Sequence, residues 1–189
     1  MWGMFWCCES IEDLDISAFN TENLKYMSRM FFRCKQLNSL DVHNINTENV
    51  EDMSGLFFGC EQLHKLDLQS FDTENVEDMS DMFSGCKQLR ELNIQNFNTG
   101  NVWNMSDMFY NCEQLHELNL QNFSTENVTD TSFIFYVCER LESIRGIEIL
   151  QKLADQTDAE AMCFLGACYE KGDEIEQNTT MAMEWYKKS

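Results

Sequence analysis

The feature of this sequence that most constrains its fold is a 26-residue pattern that repeats along most of the chain. One position of the pattern holds leucine and another holds cysteine, and no insertion or deletion interrupts either series. The members are Leu14, Leu40, Leu66, Leu92 and Leu118, and Cys8, Cys34, Cys60, Cys86, Cys112 and Cys138. A fixed period between about 20 and 50 residues is typical of stacked repeat proteins. We therefore expect a domain of stacked repeats.

One copy of the pattern, residues 66–91, predicts the path of the chain within a repeat. Its first three residues, Leu-Asp-Leu, alternate, which indicates a short strand with the leucines buried and the aspartate exposed. From Val76 onward the apolar spacing favours helical or 3₁₀ turns, and Ser80 is expected to cap a short helix there. Recurring threonines and asparagines are expected to bond nearby backbone groups. A single copy buries too little to fold alone, so the copies must stack.

The repeated pattern is L-x-L followed by F-x-T-x-N-V-x-x-M-S-x-M-F-x-x-C-x-x-L. It resembles the BspA-type leucine-rich repeats of bacterial surface proteins, which are also described as a mycoplasma lipoprotein-like repeat of unknown function. The match covers residues 4 to about 144, with departures at Gly100, Trp103 and Thr131. The resemblance implies an α/β solenoid, a right-handed coil of 26-residue leucine-rich repeats with short parallel strands. It also implies binding to other proteins, often in adhesion, at the cell surface or outside the cell.

A different pattern begins at Ile147. Apolar residues at helical spacing predict one helix over 147–154 and two more over roughly 158–171 and 179–188. The last two resemble a Sel1-like repeat, a relative of the tetratricopeptide repeats, which implies an adaptor module. The residues that carry this resemblance are Ala161, Leu165, Gly166, Tyr169, Ala182, Trp185 and Tyr186. Glu174 departs from it, because it stands where the pattern has its second glycine.

These patterns predict two domains. Residues 1–146 form the leucine-rich repeat solenoid of about five and a half coils, and residues 147–189 form a helical segment whose hairpin is one Sel1-like repeat. The chain opens in the middle of a repeat, with Trp2 and Trp6 where a polar cap is expected. We therefore expect that an upstream part is missing or that the reading frame is truncated.

Charge and hydropathy exclude two classes of partner. The formal net charge is −20 and the isoelectric point is near 4.3, which argues against nucleic acid, whose binding relies on lysine and arginine. The sequence has no run of 18 apolar residues, so we expect no insertion into a membrane. The first ten residues lack the basic region and the cleavage site of a signal peptide. The protein partner that the repeat resemblance implies is the expectation that we keep.

No pattern in the sequence indicates catalysis, a cofactor or a metal site. His64 and His116 share a repeat position but lie two copies apart, about 10 Å, which is too far to ligate one ion. The sequence lacks calcium-loop, nucleophile and phosphate-loop motifs. The cysteine row is expected to be buried and reduced, because strand spacing of about 4.7–4.9 Å exceeds the roughly 3.5–4.5 Å that a disulfide needs between Cβ atoms. We therefore expect a protein that is not an enzyme.

Two aromatic features leave alternatives open. The row Phe32, Phe58, Tyr110 and Tyr136 is either half-buried on the outer face or an interaction stripe. Trp103 occupies a position that is charged or polar in the other copies. It is either an exposed contact residue or packed locally.

The surface expected to bind a protein partner is the exposed face of the strands, with Trp103 as an additional contact. The candidate residues are Asp41, Asp67, Asn93, Asn119, Gln69, Gln95, Gln121, Lys65, Glu91 and Trp103. A polar surface that repeats laterally suits an extended partner, so the first hypothesis is a non-enzymatic interaction scaffold. The alternative is a structural or assembly module that self-associates through open solenoid ends, where Trp2, Phe5 and Trp6 are expected to be exposed.

Overall fold

The computed structural model describes residues 1–156, 158–172 and 175–189. Within these residues six short strands precede three helices. The strands are β1 (Asp13–Leu14), β2 (Ser39–Leu40), β3 (Lys65–Asp67), β4 (Glu91–Asn93), β5 (Glu117–Asn119) and β6 (Ser143–Arg145). The helices are α1 (Ile147–Asp155), α2 (Ala159–Lys171) and α3 (Thr179–Lys188). The chain therefore has a repeat-type α/β fold in which each copy of the sequence pattern contributes one strand.

The strands form parallel pairs whose register follows the sequence repeat. β1 pairs with β2, β3 with β4 and β5 with β6. Residues at equivalent positions of neighbouring copies lie opposite each other, as Leu66 does to Leu92 and Asp67 to Asn93. Because side chains alternate between the two faces of a strand, this register keeps the leucine positions inside and their neighbours outside. We number the repeats 1 to 6 after the strand that each contains.

The segment before each strand is a ladder of turns closed by bonds of the 3₁₀ type, as one of the two alternatives predicted, whereas the prediction of a short helix starting at Ser80 is wrong. In repeats 1 to 5, alternate N–H groups donate to carbonyls of the following repeat, as Phe31 does to Leu56 at 3.0 Å. The intervening N–H groups donate to carbonyls earlier in the same repeat, as Cys34 does to Phe31 at 3.1 Å. An α-helix would satisfy both sets internally, whereas here the neighbouring repeat takes half of them. Ser80 accordingly caps no helix, and its N–H donates to the Asp78 carboxylate at 2.8 Å.

We call these segments the turn ladder. It comprises residues 1–8, 25–34, 51–60, 77–86, 103–112 and 129–138. Two positions in each copy adopt a left-handed backbone with φ between 55° and 74°. Arginine, aspartate, asparagine and glycine all occupy these positions, as Arg29, Asp107, Asn111 and Gly85 show. Outside glycine this conformation costs roughly 1–2 kcal/mol per residue, so the inter-repeat hydrogen bonds must stabilise it.

The interior consists of columns of equivalent side chains. Six phenylalanines stack with ring centroids 5.5–5.9 Å apart, and they are Phe5, Phe31, Phe57, Phe83, Phe109 and Phe135. The nine apolar positions of residues 66–91 are each at most 2% exposed, and they are Leu66, Leu68, Phe71, Val76, Met79, Met82, Phe83, Cys86 and Leu89. All cysteines are free, and the cysteine row is buried from Cys34 to Cys112 and half-buried at Cys8 and Cys138. The predicted burial of the cysteine column is thus confirmed for its four inner members, with partial exposure at its two ends.

Polar side chains of the loops join one repeat to the next. The buried Thr73 hydroxyl donates to the Asn98 carbonyl at 2.9 Å and accepts the Asn98 N–H at 2.8 Å. Thr47 makes the same two bonds with Asp72, both at 2.8 Å. The Asn101 side chain donates to a carbonyl of the preceding repeat. The expectation of bonds to nearby backbone was therefore wrong, because the partners belong to the neighbouring repeat.

The three predicted helices are confirmed, with bounds close to those expected. Gly146 separates β6 from α1 with φ 133°, and a Cβ there would lie 2.8 Å from the Leu120 carbonyl oxygen. The Asp158 side chain caps α2 by accepting the Ala161 N–H at 2.7 Å. In this way a backbone that only glycine adopts easily and a short polar cap mark the change from repeats to helices.

Helix α2 packs against the last repeat. The Phe164 ring meets the Phe135 ring edge-on, with centroids 6.4 Å apart, and Phe135 is only 1% exposed. The phenylalanine column therefore ends against a helix. The departure noted at Glu174 lies outside the described residues, and the division into domains at residue 146 stays a prediction.

Candidate functional site

The strand face, defined as the outward side of β1 to β6 and the two residues that follow each strand, displays most of the residues expected to bind a partner. Asp41, Asp67, Lys65, Glu91 and the three glutamines Gln69, Gln95 and Gln121 are exposed. Asn93 and Asn119 are half-buried. Nine of the ten candidates thus share one surface, which follows from the strand alternation. Whether they bind a partner stays a prediction.

Local hydrogen bonds orient the acidic and amide row of this face. Asp67 accepts the N–H of Gln69 at 3.0 Å, and Asp41 and Asn119 do the same with the residues two positions ahead. The Asn93 side chain donates to Asp67 at 3.1 Å across the β3–β4 pair. The row is therefore held in place before any partner binds, which reduces the entropy lost on binding.

Hydrogen bonds also keep the carboxylates of the first repeats charged. Two hydrogen bonds lower the pKa of Asp41. The larger effect comes from the His43 side chain and the smaller from the His43 backbone N–H. Bonds from the side chain and backbone of Ser17 lower the pKa of Asp15. Both groups are therefore ionised at neutral pH.

One exposed ion pair crosses the strand face. The Lys65 ammonium lies 2.7 Å from the Glu91 carboxylate, and this hydrogen bond together with the charge attraction raises the pKa of Lys65. Exposed pairs of this kind contribute little stability, so a partner could replace the contact at small cost.

Four open depressions lie along the strand face. Their volumes are about 490, 540, 370 and 350 Å³, in order from repeat 1 toward repeat 6. The second is lined by Asp41, Lys65, Asp67 and Gln69, and the fourth by Asn93, Gln95 and Asn119 among others. Polar residues of neighbouring strands line each depression, and together the four form a row along the strand face.

Trp103 lies away from this face, in the turn ladder. Its N–H donates to the Glu77 carbonyl at 2.9 Å, and its carbonyl accepts the Thr129 N–H at 2.9 Å. Its side chain is 47% exposed. Trp103 is thus exposed over about half of its surface and lies on a different surface from the other candidates, and its role as a contact residue stays a prediction.

Sequence reasoning missed how much apolar surface the turn ladder exposes. All seven large apolar side chains that are exposed within residues 1–146 lie in it, and they are Trp2, Met4, Trp6, Tyr26, Trp103, Phe133 and Tyr136. In the aromatic row, Phe32, Phe58 and Tyr110 are half-buried and Tyr136 is exposed. For six of the seven, comparing the copies column by column gives the missing signal, since a residue at the end of a column lacks the neighbour that covers it, whereas Trp103 stands inside its column.

The cysteine row offers no activated nucleophile. Burial raises the pKa of the Cys34 thiol to about 11 and of the Cys138 thiol to about 12, and it raises those of Cys60, Cys86 and Cys112 well above the ordinary value. Nucleophilic cysteines need the opposite shift. Among the described residues, no three histidine, cysteine, aspartate or glutamate side chains are placed to hold a metal ion. None of the described helices has the length and apolar character to span a bilayer.

Comparison with protein-family models gives two matches. The model described as Mycoplasma protein of unknown function, DUF285, matches residues 1–67 and 53–164, which together include most of the chain. The Sel1 repeat model matches residues 159–189, which confirms the resemblance of the last two helices. The first match is compatible with the BspA-type resemblance of the repeats. No curated protein and no solved structure matches the chain.

Proposed function

This chain belongs to the family described as Mycoplasma protein of unknown function, DUF285, and carries a Sel1 repeat, and from that premise we propose that it is a non-enzymatic scaffold that binds another protein. Both matches are to repeat families, and repeat proteins present extended surfaces that suit macromolecular partners. The Sel1 repeat contributes a second such module at residues 159–189.

The architecture that we propose for residues 1–146 is a right-handed leucine-rich repeat solenoid of the BspA type. It is supported by short parallel strands that pair in the register of the sequence repeat and by the continuous phenylalanine column. For a chain of this type the proposed role is adhesion to a host or to another cell, at the cell surface or outside the cell. Labelling of intact cells with a membrane-impermeant reagent tests the location.

The strand face is the proposed binding surface, and the four depressions along it are the observation that carries the proposal. The face is polar and largely preordered, with Asp67 held by Gln69 and Asn93. Preordered hydrogen-bonding groups lose little entropy on binding, so they favour specific recognition of a protein.

A triple variant tests this surface. Asp67→Ala, Asn93→Ala and Gln95→Ala together remove polar groups around the third and fourth depressions. We expect proteins that bind the immobilised wild-type chain to bind this variant at least about tenfold more weakly. The matched control is Glu22→Ala, Glu74→Ala and Glu126→Ala, which truncates three exposed loop side chains away from the strands. Equal affinity of every purified partner for both variants would contradict the proposal.

The second candidate function is assembly through the ends of the repeat stack. It is favoured by the first repeat, where the core side chains Phe5, Cys8, Ile11 and Leu14 are only half-buried. An edge of this kind can pair with another edge. We expect such assembly to increase with concentration and to be abolished by Phe5→Asp with Trp6→Asp. A strictly monomeric wild-type chain would exclude it.

A further inference from the structure

The turn face, defined as the outward side of the turn ladder, differs in chemistry from the strand face. All seven exposed large apolar side chains within residues 1–146 lie on it. Aromatic residues, methionine and arginine are the types enriched at protein interfaces. The strand-face proposal makes no use of this surface, so its role is a separate question.

The end of the turn face near repeats 1 and 2 is aromatic and cationic. The Trp6 ring meets the Phe32 ring edge-on at 5.4 Å, and Phe32 stacks on Phe58 at 4.6 Å. Arg29 lies 5.8 Å from the Trp6 and Phe32 ring centres, and Arg33 lies 5.6 Å from that of Phe32. Neither arginine takes part in an ion pair among the described residues. The rings thus hold two cations that are not in contact with a carboxylate.

One carboxylate of the same chain lies within electrostatic reach of Arg29. Burial raises the pKa of Asp81, and the charge of Arg29 partly opposes that rise. Asp81 stands two repeats further along the same column, with Gly55 between them, and the two side chains form no ion pair. This attraction acts over a distance, so it leaves the guanidinium available to a closer carboxylate.

The end near repeats 5 and 6 is aromatic and anionic. Tyr136 stacks on Tyr110 at 5.6 Å and meets Phe133 edge-on at 5.9 Å. Asp107 lies in the same part of the ladder, at the position that Arg29 occupies in repeat 2. Burial raises the pKa of Asp107, and the neighbouring carboxylates Asp81 and Asp130 raise it further. This end therefore accumulates negative charge where the other end accumulates positive charge.

We propose that two copies of the chain pair through their turn faces, antiparallel, about a twofold axis that crosses the face between repeats 3 and 4. In this arrangement each position meets the same position of the partner copy, with repeat 2 opposite repeat 5 and repeat 1 opposite repeat 6. Arg29 then faces Asp107 of the second copy, Phe32 faces Tyr110, and Trp6 faces Tyr136. Lys25 faces Trp103, a cation opposite an exposed ring.

The Arg29–Asp107 contact, which forms twice, selects a second copy in this orientation. Nearer the axis Glu51 faces Glu77 of the second copy, and the Lys25 ammonium 3.4 Å from Glu51 offsets part of that negative charge. Repeats 2 and 5 are three strand spacings apart, about 14 Å, so one molecule cannot bring Arg29 onto its own Asp107. A parallel pairing would place arginine against arginine and aspartate against aspartate. The twofold axis makes every contact occur twice, which is the usual form of a homodimer interface. Gly55, Gly59 and Gly85 add no side chains near the axis, so at these three positions the two backbones have room to approach.

The backbone makes an unusually direct test possible. Arg29 and Asp107 have φ values of 56° and 55°, so each position already accepts the geometry that the other residue type adopts. We therefore expect the charge reversals Arg29→Asp and Asp107→Arg to fold. Urea unfolding midpoints near that of the wild type check this for each variant.

The test is a mixing experiment followed by analytical ultracentrifugation over a wide concentration range. The wild-type chain is expected to form a closed dimer and nothing larger. Each single variant places like charges together twice, which should raise the dimer dissociation constant by about a hundredfold or more. Mixing the two variants restores opposite charges at both contacts, so a mixed dimer should form with about the wild-type affinity. Asp67→Ala, on the strand face, is the control and should dimerise normally.

Four results would overturn this proposal, and the first three concern dimer formation. They are a wild-type chain that stays monomeric, single variants that dimerise like the wild type, or variants that do not rescue each other on mixing. Assemblies that grow beyond two copies would also contradict it, because they indicate pairing through the ends. None of these results bears on the strand-face proposal, whose test measures binding of a different protein.

Discussion

Replacing Thr73 by valine tests whether buried hydroxyl groups hold the repeats together. Valine keeps the approximate shape of threonine and removes only the hydroxyl group, while Thr73 is 1% exposed. Two hydrogen bonds are lost, one to the Asn98 carbonyl at 2.9 Å and one from the Asn98 N–H at 2.8 Å. The change thus leaves one acceptor and one donor of the next repeat without their partner.

The expected loss follows from the two groups left behind. Each backbone group that is buried without a partner costs about 1–3 kcal/mol. The side chain of Asn98 is exposed, so water reaches part of this loop, and the lower end of that range applies to each group. We therefore expect the free energy of unfolding to fall by about 2 kcal/mol.

Urea unfolding measures this change. The midpoint should fall while the denaturant slope stays the same, because the extent of the folded region does not change. Thr73→Ser retains the hydroxyl group and should recover most of the loss. Thr129→Val is the matched control, because its exposed hydroxyl makes one bond, to the Trp103 carbonyl at 3.1 Å, and we expect a change below about 0.5 kcal/mol. If Thr73→Val matches that control, the threonines do not join the repeats as described.

Of four further predictions, two concern the thiols, one a glycine and one a helix cap. In the folded protein the exposed Cys7 and Cys163 should react with a disulfide reagent, whereas Cys60, Cys86 and Cys112 should react only after unfolding, and mass mapping of the labelled sites checks this. Thiols of the unfolded chain ionise near pH 9, whereas these buried thiols stay protonated. The free energy of unfolding should therefore fall above pH 9, by about 1.4 kcal/mol per pH unit for each thiol. Cys86→Ala should make this fall with pH less steep. Gly146→Ala should lower the free energy of unfolding by more than about 2 kcal/mol, because the new Cβ would lie 2.8 Å from the Leu120 carbonyl oxygen. The control is Gly100→Ala, which should change the urea midpoint little because the Gly100 backbone is not left-handed. Asp158→Ala should cost about 1 kcal/mol through the lost bond to the Ala161 N–H, with exposed Glu176→Ala as the neutral control in thermal unfolding.

The sequence predicted the interior of the repeats well, because burial at a fixed period leaves a direct trace in residue type. Leu66, Val76, Met79 and Phe83 are buried as expected, and so is the thiol of Cys86. The strand positions followed from the alternation at Leu-Asp-Leu, and the three helices followed from their apolar spacing and caps.

The turn ladder could not be predicted in the same way. The same apolar spacing is shared by helices and by successive turns, and the difference lies in where alternate N–H groups find their acceptors. For Phe31 that acceptor is Leu56, in the next repeat, which local spacing does not reveal. The left-handed backbone at Arg29 and Asp107 was also hidden, since most non-glycine residues avoid it.

The candidate site was predicted only in part. Strand alternation placed Asp67 and Gln69 on one face, but the depressions between strands depend on the packing of neighbouring repeats. Trp103 was grouped with that face because it is unusual in its column, although its column belongs to the turn ladder. Position along the repeat, and not residue type, decides to which surface a side chain belongs.

The alternation of hydrogen bonds in the turn ladder also governs how the length of such a chain can change. Every second N–H of the turn ladder donates to the next repeat, and the others donate within their own repeat. Adding a single residue would exchange these two sets of N–H groups and would turn buried side chains such as Met79 and Phe83 outward. A gain or loss of one whole repeat leaves both sets in place. The hydrogen-bond pattern therefore tolerates a change of length by whole repeats, and we expect a single-residue insertion inside the turn ladder to destabilise the fold.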